Sequence, residues 1–124
     1  MTQFSNNKYD LEERTAAFGE QVIVFCLNLP QNSVTRSLID QLVRSATSIG
    51  ANYTEANNAS SKRDFRNKAY IAKKECQETK HWLRMLASAL PEKKESLRPL
   101  WQECHELTLI FQKIVTSVAM KSKV

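Results

Sequence analysis

Glycine and proline are nearly missing from this chain, at two and three residues in 124. Sheets and long loops need residues that tolerate unusual backbone angles, so the shortage excludes a β-rich fold and points to an all-α one. Two glycines cannot build a phosphate-cradling loop, and no G-x-S-x-G run is present. The cysteines Cys26, Cys76 and Cys104 are odd in number, stand alone in helical apolar patterns and form no C-x-x-C. They read as reduced core thiols of a cytoplasmic protein. The two histidines have no zinc spacing. Glu78 and His81 make a single Glu-x-x-His, where di-metal bundles need two such pairs and two further carboxylates. No catalytic residue, metal or cofactor is therefore expected. The longest apolar run, Val22 to Leu27, is far too short to span a membrane. The first residues lack a cationic start followed by an apolar run, so neither a signal peptide nor a membrane partner is expected.

What the chain has is helical periodicity. Leu11, Phe18, Val22, Phe25 and Leu29 form one stripe behind a polar tail over residues 1–9, with Asp10 as N-cap and Pro30 as terminator. Val34, Leu38, Leu42, Ser45, Ile49, Asn52 and Ala56 form a second, capped by Asn32 or Ser33. Its middle is rich in small residues, and Gly50 there implies that another backbone approaches closely. Ser61 caps a third helix whose stripe is Phe65, Ala69, Ala72, Cys76, Thr79, Leu83, Leu86 and Leu90. Pro91 follows, and Pro99 suits the first turn of a fourth helix capped by Ser96. In that helix Leu97, Trp101, Cys104, Thr108, Phe111, Val115 and Val118 form the core stripe, with Leu100, Leu107, Ile110 and Ile114 beside it. Long helices with short connections predict an antiparallel up-down-up-down four-helix bundle over residues 10–120, followed by a basic tail at 121–124.

The net charge of +5 is not spread evenly. Between Ser61 and Leu90 stand eight bases and three acids. At about 100° per residue, Lys62, Arg66, Lys73, Lys80 and Arg84 fall within roughly 40° of one another, and Arg63 and Lys74 widen the face to about 120°. Asp64, Glu75 and Glu78 fall on the far side. A helix face of one sign suggests an anionic partner, RNA or DNA; the plainer reading is a solvated, solubilising surface. No aromatic platform accompanies the charges except Tyr70 at their edge. A second group, Arg44, Ser48, Asn52 and Glu55, shares one face of the second helix, either as a hydrogen-bond network to neighbouring helices or as a ligand or partner site. Trp82 and Met85 lie outside the core stripe and suggest a subunit interface.

Several runs carry a resemblance. Asp10-Leu11-Glu12-Glu13-Arg14-Thr15, Gln41 to Ala56 with its Arg-Ser-x-x-Ser-Ile-Gly-Ala-Asn core, Ser61-Lys62-Arg63-Asp64-Phe65 and Lys74 to Leu83 resemble the four-helix-bundle proteins encoded in intervening sequences of 23S ribosomal RNA genes. The likeness covers about Asp10 to Leu90; the fourth helix matches in pattern only. Many members carry Glu-Gly where this chain has Glu55-Ala56. The resemblance implies a homo-pentamer without known enzymatic activity. It also implies kinship with an accessory protein of diversity-generating retroelements that binds a reverse transcriptase and nucleic acid through basic surface. The expectation is a non-enzymatic, oligomeric, nucleic-acid-associated binding or scaffold protein. The alternative is a structural protein that binds only protein partners.

Overall fold

The structure, a computed structural model, describes residues 8–122, and side chains over 11–118. Helix α1 covers Lys8–Leu27, α2 Ser33–Asn57, α3 Lys62–Ala89 and α4 Lys94–Ser122, with a 3₁₀ turn over Pro91–Lys93. Local chemistry accounts for most of these bounds. The Asn32 side chain accepts the N–H groups of Val34 and Thr35 at 2.9 and 3.0 Å, and the Thr35 hydroxyl accepts the Asn32 N–H at 2.9 Å, closing a capping box. Ser61 Oγ accepts the Asp64 N–H at 3.0 Å.

The ends of the chain differ from expectation. Helix α1 begins at Lys8, so Asp10 lies inside it rather than capping it; residues 1–7 of the expected tail lie outside the described residues. At the other end α4 still runs through Lys121 and Ser122, and residues 123–124 lie outside the described residues. Helix α4 also starts before Ser96. Pro91 opens the 3₁₀ turn, the Lys93 N–H bonds to Leu90 O at 2.9 Å, and the chain winds from that turn straight into Lys94. Pro99 therefore sits inside α4, where its ring removes one backbone donor.

Each helix packs on two neighbours, α1 on α2 and α4, α3 on α2 and α4, while across one diagonal Tyr53 of α2 meets the Phe111 ring of α4 edge-on at 5.5 Å. Residue pairs set the direction. Glu12 meets Asn57, and a Cβ built on Gly50 would lie 3.2 Å from Thr15 Oγ1. Lys68 meets Glu55 while Thr79 meets Ser45. Lys73 meets Gln112 while Lys80 meets His105. In each case a rising number faces a falling one, so helices adjacent in sequence run in opposite directions. The Thr15 contact also gives Gly50 its physical reason, since α1 and α2 approach so closely there that even a Cβ would press on Thr15.

The core is continuous through Phe18, Val22, Leu42, Ile49, Tyr53, Ala72, Cys76, Leu83, Leu86, Leu107 and Phe111. Every member of the α3 stripe is buried except Phe65, which is half-buried. On α4 the buried line passes through Leu97, Leu100, Cys104, Leu107, Thr108, Phe111 and Val115. Because it passes through Leu100, Trp101 stands at its shoulder and is 38 % exposed, not a core residue as its spacing suggested. No helix among the described residues is long and apolar enough to cross a membrane.

Candidate nucleic-acid interface

Helix α3 has two flanks of opposite chemistry, and its neighbours complete them differently. On the α2 side, Arg44 reaches Glu75 at 3.4 Å and pairs with Glu78, while Lys68 pairs with Glu55 at 2.7 Å. Beneath them the buried Thr79 hydroxyl donates to Ser45 Oγ at 2.8 Å. The Trp82 indole N–H donates to Glu78 at 3.1 Å. That bond first, and Arg44 second, hold the Glu78 carboxyl below its usual value against the opposing cost of desolvation.

The α2 group expected to form one network is thus divided. Arg44 and Glu55 tie α2 to α3, whereas Ser48 donates to Arg44 O at 2.7 Å and Asn52 to Ser48 O at 2.9 Å within their own helix. Trp82 also departs from expectation. It is half-buried against the core and meets the His81 ring edge-on at 4.9 Å, so it belongs to the bundle's own packing rather than to a face the core cannot use. Met85 is half-buried as well. No group of three or more His, Cys, Asp or Glu among the described residues could hold a metal ion.

On the α4 side four of the seven predicted bases, Lys62, Lys73, Lys80 and Arg84, border α4, while helical phase sets Arg63 and Lys74 farther round α3, opposite its core stripe. Lys62 borders a hollow with Phe65 and Val118 near the end of α4; Arg84 borders another with Trp101 near its start. From Lys62 to Arg84 the flank is about 33 Å long. Lys62, Arg63, Lys74 and Arg84 are exposed. Lys73 and Lys80 are half-buried against α4, although the helical angle alone set them on open surface. Lys73 donates to Gln112 at 2.8 Å and lies 5.0 Å from the Tyr70 ring centre. Lys80 Nζ lies 3.1 Å from His105 Nδ1 and 5.1 Å from the Trp101 ring centre. An ammonium can only donate, so Nδ1 accepts. Arg66 Nε is buried without a hydrogen-bond partner among the described residues.

None of these seven makes an ion pair among the described residues, whereas Arg14, Arg44, Lys68 and Arg98 all do. The α4 carboxylates are engaged elsewhere: Glu103 and Glu106 hold Arg14 of α1, and Glu95 holds Arg98. In place of acids, α4 brings aromatic rings. Trp101 and His105 stack with centres 5.1 Å apart and planes 12° from parallel. Sequence reasoning missed this platform because the charges are on one helix and the rings on the next. The only hint was the i, i+4 spacing of Trp101 and His105.

The three thiols lie inside the bundle, free of disulfides. Burial pushes Cys26 up to about 11, and the Cys104 thiol donates to Cys76 O at 3.2 Å.

Fold and seam together define an all-α bundle in which one helix carries an uncompensated basic flank. The chain belongs to the 23S rRNA-intervening sequence protein family, whose model matches residues 7–113. A crystal structure of a protein of unknown function from the S23 ribosomal protein family of Bacteroides thetaiotaomicron is similar, with a TM-score of 0.75 and 28 % identity, covering 84 % of this chain and 96 % of that one. No curated protein matches the chain.

Proposed function

We propose that this is a non-enzymatic, nucleic-acid-associated binding or scaffold protein that acts through the α3 flank facing α4. One observation carries the reading: seven bases share about 120° of α3 and none has an ion-pair partner among the described residues, in a chain that pairs Arg14, Arg44, Lys68 and Arg98. Like charges one turn apart, such as Lys62 with Arg66 and Lys80 with Arg84, cost a helix about 0.2–0.5 kcal/mol each. A polyanion removes that cost and releases its own counterions. The S23 ribosomal name of the similar structure agrees with an RNA setting.

The test is a reversal of three exposed bases, Arg63→Glu, Lys74→Glu and Arg84→Glu. Affinity for RNA and DNA should fall at least tenfold and the salt slope should flatten by about three. Stability should stay within about 0.5 kcal/mol per site, because none of the three holds the bundle together. A wild-type protein that binds neither RNA nor DNA at low salt, or a variant that binds as wild type does, overturns the reading.

Binding of protein partners alone then takes its place. Its support is apolar surface near the α1–α2 turn, where Leu27 is 77 % exposed and Val24 and Val34 are each 59 % exposed. The same surface is where we place a homo-oligomer contact, the pentamer implied by the resemblance, in preference to Trp82 and Met85. Leu27→Asp should shift the assembly toward monomer in light scattering; a wild-type protein monomeric at micromolar concentration removes the oligomer.

A further inference from the structure

Next to the Trp101–His105 stack, α3 and α4 leave a hollow of about 220 Å³. Leu83 and Leu97 form its apolar part, Trp101 one wall, and Arg84, Lys94 and Arg98 its charged rim. His105 covers one face of the indole. Lys80 must lie on that same face, since its Nζ is within 3.1 Å of His105 Nδ1 and could not be so from across the ring. The pocket residues Lys94, Leu97 and Arg98 all precede Trp101 on α4, whereas His105 follows it. The open face of the indole therefore borders the hollow.

We infer that this hollow takes one unpaired nucleotide of a single strand, its base stacked on the open face of Trp101 and its phosphate held by Arg84 and Lys94. The inference rests on the nucleic-acid reading above and adds a strand preference to it. Three features support it. Pockets that enclose a whole drug-sized ligand hold about 300–1,000 Å³, so this smaller one suits a single ring with the rest of the chain outside. The rim is cationic and its walls are apolar and aromatic, which matches a base joined to a phosphate and little else. Arg98 is shared with Glu95 at 3.1 Å, but Arg84 and Lys94 have no ion-pair partner among the described residues. A duplex keeps its bases stacked on one another and cannot offer a face to Trp101, so it meets the flank through phosphates alone.

The experiment measures affinity for a ten-nucleotide oligothymidylate, a duplex of equal charge and free thymidine monophosphate, at low salt. Wild-type protein should favour the single strand over the duplex. Trp101→Ala should weaken single-strand binding about five- to 150-fold, the equivalent of the 1–3 kcal/mol typical of a base on an aromatic ring. Its duplex affinity should change less than about twofold. Trp101→Phe, which keeps a ring, should restore most of the loss. Arg84→Gln leaves the ring in place; it should lower single-strand affinity and the salt slope by about one. Equal losses for single strand and duplex in Trp101→Ala, or no loss, overturn the inference while leaving the basic-flank reading intact. Monophosphate binding as tight as that of the oligomer overturns the commitment to a strand. Failure of wild type to bind any strand overturns both readings.

Discussion

On its α2 side α3 carries Asp64, Glu75, Glu78 and Lys68, and α2 answers with Arg44 and Glu55. On its α4 side it carries bases alone, and α4 answers with Gln112, His105 and Trp101. The first seam is closed by opposite charges over a buried Thr79–Ser45 hydrogen bond. The second is closed by packing underneath, with Cys104 against Cys76, and left electrically unbalanced on top. The difference separates two uses of charge. Arg44 and Lys68 hold helices together, and a bundle needs few such ties because exposed pairs contribute about 0–1 kcal/mol each. The other flank makes no ion pair among the described residues; Lys73 and Lys80 tie it to α4 through Gln112 and His105 instead.

Changing the closed seam should cost more stability than changing the open one. Ser45 is fully buried where α2 meets α3. Ser45→Leu adds volume to that contact and removes the hydroxyl that accepts from Thr79, so we expect a loss of about 1–3 kcal/mol and a melting temperature lower by several degrees. Lys74→Ala on the opposite flank should stay within about 0.5 kcal/mol. Equal effects from the two would erase the distinction between a structural seam and a binding one.

Much of this was legible in the residues before any coordinates. The four-and-three spacing of Ala69, Ala72, Cys76, Thr79, Leu83 and Leu86 located the buried side of α3, because burial follows helical phase. Asn32 and Ser61 marked two helix starts, because their short side chains reach the orphan N–H groups. The angular grouping of the seven bases follows from one unbroken helix over Lys62–Ala89. What helical phase cannot supply is the identity of the neighbour across a seam. Lys73 and Lys80 were legible as charged, but not as bonded to Gln112 and His105 on a helix 25 or more residues away. Trp101 fitted a core spacing as well as Leu100 did, and only packing decided which of the two went inside. The start of α4 was misplaced at Ser96 because Pro99 looked like a first-turn residue; the 3₁₀ turn after Leu90 had already begun winding the chain.

The smallest expected effect tests the charge on the closed seam directly. Glu78 accepts from the Trp82 indole and pairs with Arg44, and both hold its carboxyl below the ordinary value of about 4.5. A carboxyl whose pKa is lower in the folded state stabilises that state above its unfolded pKa, and the gain disappears as pH falls through the folded value. Acid should therefore loosen the α2 side of α3 through Glu78. Glu78 and Arg44 side chains are 40 % and 46 % exposed, so solvent screening keeps the contribution below about 1 kcal/mol. Glu78→Gln retains an acceptor for the indole and removes only the charge. Wild type should melt slightly above this variant at about pH 7, and the gap should close by about pH 3. The same gap should narrow in high salt, where exposed pairs are screened. A gap that persists unchanged in acid would mean that Glu78 acts through shape and hydrogen bonding. The contrast between the two flanks of α3 would then rest on Lys68–Glu55 and Arg44–Glu75 alone.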